Sequence, residues 1–236
     1  MIEVQKINAG YGRLHILFDA DMHVREKSIT VIVGPNGSGK STLLKSIFGL
    51  TKIYSGVIKF DGENIVGLMP HQIARRGVAY LPQTDNVFAN LTVRENLLMA
   101  SYTLNKRVAE ERLEEVLELF PMIKGFMNRK SGTLSGGERQ MVAMAMALLR
   151  KPKIMMFDEP TGNLAPKLAM EVLAKIRELR DRLGITILLV EQNARRALEM
   201  GDYAYLLVSG RVAFEGRPQD LLGHAELSKL YLGISS

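Results

Sequence analysis

One stretch constrains this chain more than any other: Gly34-Pro35-Asn36-Gly37-Ser38-Gly39-Lys40-Ser41-Thr42. It satisfies the pattern G-x-x-x-x-G-K-[ST], and its surroundings suit a phosphate-binding loop. Ahead of it, Ser28–Val33 is a β-branched run that predicts a buried strand. Behind it, Ser41–Phe48 predicts a helix. A strand that breaks into a glycine loop and resumes as a helix turns several backbone N–H groups inward, with the positive helix end behind them. That arrangement restrains a nucleotide's phosphates. Gly34, Gly37 and Gly39 let the backbone come close, and Asn36 and Ser38 belong to the same cradle. Lys40 supplies a mobile charge for the β- and γ-phosphates. Ser41 supplies a ligand for Mg2+, and Thr42 a hydroxyl for the α- or β-phosphate.

A second feature complements the first. Ile154-Met155-Met156-Phe157-Asp158-Glu159 reads as an apolar strand ending in two adjacent carboxylates. Successive strand residues face opposite sides, so neighbouring acids can do different work. Asp158 is expected to hold Mg2+ through water, and Glu159 to act as general base on the water that attacks the γ-phosphate. Alone, such a pair is more often a solvated strand end. With the phosphate loop upstream, it reads as machinery for hydrolysing ATP.

The rest of the chain places these motifs on an α/β fold. Ile2–Ile7, Val57–Phe60 (closed by the turn signal Asp61-Gly62), Val78–Leu81 and Thr186–Val190 predict strands. Ala204–Val208 and Arg211–Phe214 predict a hairpin around Ser209-Gly210, and short helices are expected to finish the chain. Pro166–Leu183 and Asn193–Met200 predict helices. From about Thr84 to Arg150 the pattern is helical, with capping-box spacing at Thr92–Glu95 and Ser135–Glu138 and a helical repeat over Ala109–Phe120. The second box opens a helix expected to run through Leu149. Buried strands alternating with helices predict a mostly parallel sheet covered on both faces. Residues 84–150 are expected to form a helical lobe inserted into a single domain, between core segments 1–83 and 151–236.

Composition narrows the partners. The net charge is +6, but Lys and Arg are scattered apart from small clusters such as Arg75-Arg76 and Arg195-Arg196, aromatics are few, and no basic-aromatic interleaving suggests base stacking. Nucleic acid is therefore not an expected partner. With no cysteine, disulfides, thiolate metal sites and cysteine nucleophiles are excluded. No apolar run reaches the roughly 18 residues of a membrane-spanning helix, and no signal-peptide pattern opens the chain. A cytoplasmic protein is expected, one that reaches a membrane only through a partner.

Leu134-Ser135-Gly136-Gly137-Glu138-Arg139-Gln140 resembles the signature motif of ATP-binding-cassette (ABC) ATPases. It is also a capped helix start, and the two readings agree, because a serine hydroxyl and bare glycine amides at a helix N-terminus form an anion site. The resemblance implies a P-loop nucleotidase core with an N-terminal antiparallel β portion and the inserted helical lobe. It implies two subunits that close head to tail around two Mg-ATP, Ser135 and Gly137 of one meeting the γ-phosphate held by the other. It makes Tyr11 the aromatic that stacks on adenine. It makes Gln83, in Tyr80-Leu81-Pro82-Gln83, the glutamine that touches Mg2+ or the attacking water and links core to lobe. In the loop that follows, Val87 and Phe88 are expected either to form a groove for a partner's helix or to pack within the lobe.

Two positions depart from the family pattern. Ala165 stands where most members have aspartate, and Gln192 where most have histidine. Gln192 retains a donor for a γ-phosphate oxygen but without charge assistance, which implies a slower or partner-dependent ATPase. Glu191-Gln192-Asn193 and Asn163-Leu164-Ala165-Pro166-Lys167 look like the second ATPase subunit of importers for branched-chain and other hydrophobic amino acids. That branch implies a homo- or heterodimer serving two transmembrane permease subunits at the inner face of the membrane, and indirectly a solute-binding protein. Two alternatives stay open: a non-transport ABC ATPase, such as an assembly or DNA-maintenance factor, and a nucleotide-gated scaffold. The segment from about Thr92 to Leu149 is too short for the long coiled coil of DNA-repair relatives.

Overall fold

The computed structural model describes residues 1–84, 86–224 and 226. Two sheets carry the fold. The first is antiparallel, in the order β2–β1–β4–β5, built from β1 (Ile2–Tyr11), β2 (Leu14–Val24), β4 (Lys52–Phe60) and β5 (Glu63–Asn64). The second runs β10–β9–β3–β8–β7–β6, from β3 (Ile29–Val33), β6 (Val78–Leu81), β7 (Ile154–Asp158), β8 (Thr186–Val190), β9 (Tyr203–Val208) and β10 (Arg211–Gly216). Its strands pair in parallel except at the β9–β10 hairpin.

The expected α/β class and mostly parallel sheet are both observed. Strand β2 was not announced by the periodicity, nor were the short β5 and the helix at Pro70–Arg75, and β1 and β4 run longer than expected. For β1 and β2 the reason lies in the bulges. The β1–β2 ladder shifts register repeatedly, and Lys6 and Asp19 take positive φ there. Asn8 and Asp19 fill the irregularity with reciprocal hydrogen bonds, Asn8 Nδ2 to Asp19 Oδ1 at 2.9 Å and Asp19 N to Asn8 Oδ1 at 3.2 Å. A bulge breaks the two-residue alternation by which a strand is recognised. The Asp61-Gly62 turn joins β4 to β5 with positive φ at both residues, the conformation that an Asp-Gly hairpin takes.

The parallel strands sort their side chains by parity. Val31, Val33, Met155, Phe157, Ile187 and Leu189 belong to one core; Ile32, Ile154, Met156, Leu188 and Val190 belong to the other. Helix α1 (Lys40–Ile47) lies in the second core, where Leu43, Leu44 and Ile47 meet the antiparallel sheet. Helices α5 (Gly136–Leu148), α6 (Pro166–Leu183) and α7 (Ala194–Met200) cover the opposite face. Being buried on both faces, these strands read as continuous apolar runs.

Helix α2 (Pro70–Arg75) precedes β6, and between β6 and β7 come α3 (Val93–Ser101), α4 (Lys106–Leu119) and α5. Helical structure starts at Val93, later than Thr84, because Thr92 caps it: its hydroxyl accepts from Glu95 N at 3.2 Å, and Glu95 Oε2 accepts from Thr92 N at 2.7 Å. Ser135 and Glu138 form the same box at the head of α5. Helix α8 (Pro218–Gly223) is one of the short C-terminal helices expected; the rest of that segment lies outside the described residues.

Candidate nucleotide site

Parallel pairing brings the carboxyl ends of β3, β8 and β7 side by side. Ile32 lies opposite Val190, and Val190 opposite Asp158. The residues just past these strand ends, Gly34, Glu191-Gln192 and Glu159, therefore share one edge of the sheet, where open α/β sheets bind ligands. A cleft of about 490 Å3 opens there. Asn36, Gly37, Gly39, Lys40, Ser41 and Thr42 line one side of it. Gln83, Glu159 and Gln192 line the other, with Ile16 at the margin. Sequence separations of more than 100 residues are thus closed by the fold.

The loop is built as the motif requires. At Gly34 (φ +149°) a Cβ would meet Leu207 O at 2.1 Å, so only glycine fits. Ser38 Oγ is buried and has no hydrogen-bond partner among the described residues. With the free first amides of α1, it is a cradle for an oxyanion. Lys40 Nζ donates to the carbonyls of Gly34 and Pro35, both at 3.0 Å, which arches the loop and leaves a third N–H for a phosphate oxygen. Burial pushes its ammonium below the ordinary value, and the charges of Glu159 and Asp158 oppose that shift.

Asp158 and Glu159 have different partners. Asp158 is 3% exposed; its Oδ1 accepts from Ser41 Oγ at 2.7 Å and its Oδ2 from Tyr80 Oη at 2.9 Å. A hard carboxylate beside a hydroxyl, next to a phosphate cradle, is a donor set that suits Mg2+, which takes one or two protein oxygens and completes its shell from phosphates and water. Glu159 leaves the strand with φ +50° and enters the cleft, where its Oε2 accepts from Gln83 Nε2 at 3.2 Å.

Gly34, Ser38 and Asp158 stand behind the cleft lining, and Tyr11, Ser135 and Gly137 also lie outside it. Tyr11 ends β1 with 42% of its surface exposed. Its turn is clamped by Tyr54, whose phenol donates to the carbonyls of Gly12 (3.2 Å) and Leu14 (3.1 Å). Ser135 and Gly137 sit at the head of α5, packed beside α6, where Gly137 faces Leu168. Ile16, Tyr80, Thr161 and Glu191 were not foreseen in any role. Only Glu191 left a trace in the sequence, as an acid closing the apolar run Ile187–Val190. Of the loop after β6, Val87 packs against the core while Phe88 stays exposed, so the two side chains do not both pack within the lobe.

A phosphate loop, an acidic strand end and a polar wall at the carboxyl edge of a parallel sheet define a nucleotide-hydrolysing protein of the P-loop class. The sequence profile described as "ABC transporter" matches residues 17–162. The chain belongs to the ABC transporter family and is one of its ATP-binding, ATP-hydrolysing subunits. It is 58% identical over 234 residues to the probable branched-chain amino acid transport ATP-binding protein LivF of Archaeoglobus fulgidus, covering 99% of both chains. It is 40% identical to the high-affinity branched-chain amino acid transport ATP-binding protein BraG of Pseudomonas aeruginosa, across 99% of this chain and all of that one. Among solved structures, it resembles an ATP-binding cassette of an ABC transporter in its ADP conformation, with a TM-score of 0.87 at 27% identity over 98% of this chain and 97% of the other. A dimeric bacterial ABC transporter cassette matches with a TM-score of 0.80 over 92% and 99%. Among the described residues, no helix is long and apolar enough to cross a membrane.

Proposed function

We propose that this chain powers an importer of branched-chain or other hydrophobic amino acids, using Mg-ATP to close and reopen a head-to-tail dimer of cassettes. The observation that carries this reading is the meeting of Lys40, Gln83, Glu159 and Gln192 around one cleft, with Ser41 and Asp158 bonded beside it. Ser41 and Asp158 would hold Mg2+, whose contribution when bound is to neutralise phosphate charge. Lys40 and the loop amides hold the β- and γ-phosphates in place. Glu159, held by Gln83, accepts the proton of a water as its oxygen bonds to the γ-phosphorus and the bond to ADP breaks. Gln192 donates to a γ-phosphate oxygen.

Ser135 and Gly137 are left out of the chain's own cleft, which fits their service to a partner's ATP. The partner cassette is a second copy or a sister subunit. Tyr11, exposed at the end of β1 on its clamped turn, is the aromatic that would stack on adenine. Residues 84–150 act as the lobe and 1–83 with 151–236 as the nucleotide-binding core. A groove of about 450 Å3 between them, lined by Phe48, Tyr80, Pro82, Met99 and Tyr102 among others, would seat a helix of one of two permease subunits. That contact would hold the chain at the inner face of the membrane, with a solute-binding protein on the far side. The resulting motion is a rigid-body closure converted to alternating access.

The test is Glu159→Gln. The variant should bind ATP as tightly as wild type, lose turnover by at least about 100-fold, and accumulate as an ATP-bound dimer on size exclusion. Turnover at the wild-type rate would remove Glu159 as the base.

A further inference from the structure

Asp158 presents two oxygens, and the structure gives each its own donor. Ser41 Oγ holds Oδ1 at 2.7 Å, and Tyr80 Oη holds Oδ2 at 2.9 Å. Tyr80 stands on β6 opposite Met156 of the adjacent β7, so its phenol reaches two residues forward along that strand to find the carboxylate. The Phe48 ring packs beside it at 5.5 Å between centroids.

A carboxylate held by one oxygen can still swing, because the terminal torsion of aspartate is broad. Held by both, its plane is fixed. We propose that Tyr80 is a positioning residue for the metal: its phenol locks the Asp158 carboxylate in the orientation that, with Ser41, receives Mg2+. The inference rests on the reading of Asp158 as a metal-holding residue. Partners of this kind behind a metal ligand are worth about 10–100-fold in metal affinity. Tyr80 also lies three residues before Gln83 and forms part of the wall of the lobe–core groove. The same ring therefore borders both the metal position and the groove.

The experiment measures binding of a fluorescent, non-hydrolysable ATP analogue to the full chain, titrated with Mg2+ and repeated in EDTA. Tyr80→Phe keeps the ring and its packing and removes only the hydroxyl. It should raise the Mg2+ concentration at half-maximal effect by about 10-fold, with binding in EDTA unchanged. Asp158→Asn serves as the reference and should abolish the effect of Mg2+. If Tyr80→Phe matches wild type while Asp158→Asn loses its Mg2+ response, the positioning role is wrong and the metal site stands. If Asp158→Asn responds to Mg2+ as wild type does, the metal reading itself fails and takes the inference with it. A loss of binding by Tyr80→Phe that is equal with Mg2+ and in EDTA assigns the residue to packing and overturns the proposal.

Discussion

The carboxylate of Glu191 accepts two hydrogen bonds from Thr161, one from its amide at 3.0 Å and one from its hydroxyl at 2.9 Å. Glu191 follows β8 and Thr161 lies in the loop after β7, so this pair ties the segment carrying Gln192 to the segment carrying Glu159. Glu191 is 2% exposed and Thr161 9%. A buried carboxylate depends on such donors, because an unpartnered one bears its full desolvation cost. Thr161→Val keeps the shape and removes the hydroxyl. It should lower unfolding stability by about 1–3 kcal/mol, read from the urea midpoint at constant m-value. Because Glu159 and Gln192 lean on this brace, kcat should fall more than KM rises. A wild-type midpoint together with wild-type kcat would show that the bond carries neither load.

The same carboxylate sets a pH dependence. Burial first, then the charge of Glu159, raises the Glu191 pKa above 4.5, and the bonds from Thr161 and from the Gln192 amide only partly offset this. In the window from about 4.5 upward to its folded pKa, the folded chain binds more protons than the unfolded chain. Stability attributable to Glu191 therefore falls as pH rises through that window. Glu191→Gln has no proton to lose. The difference in unfolding free energy, wild type minus variant, should decline with rising pH above 4.5 and then level off. A flat difference would contradict the raised pKa.

Gln192 stands in the cleft with Lys40 and Glu159. Replacing it by histidine restores a side chain that can carry charge, and a charge-assisted bond to phosphate exceeds a neutral one by about 1 kcal/mol. Single-turnover hydrolysis by Gln192→His should accelerate about 5-fold. An unchanged rate would mean that this position does not govern catalysis.

Ala165 is the N-cap of α6 and makes no side-chain cap bond; Pro166 follows at the first helical position. Ala165→Asp supplies both a cap acceptor and a negative charge at the positive helix end. It should stabilise the chain by about 1 kcal/mol, raising Tm by a few degrees. A lower Tm would show that this loop cannot accommodate the cap geometry.

The sequence by itself determined the site's chemical inventory. Gly34 to Thr42 spell a phosphate loop because nearly every residue there is dictated by local backbone geometry or by direct contact with phosphate. Asp158-Glu159 and Ser135–Glu138 were readable for the same reason: a strand end and a capping box are local events. The class of fold followed from apolar runs too long-buried to alternate, as at Ile187 to Val190. What tertiary structure alone decided is which distant groups meet. Strand order β3–β8–β7 places Gln192 and Glu159 at one edge with Lys40, an outcome of sheet topology that no local pattern encodes. The bonds Tyr80–Asp158 and Thr161–Glu191 span 78 and 30 residues, and neither residue of Tyr80 or Thr161 carries a mark in the sequence that distinguishes it from an ordinary core or loop position. β2 escaped detection because its bulge at Asp19 is stabilised across the ladder by Asn8, a partner visible only once the two strands lie side by side.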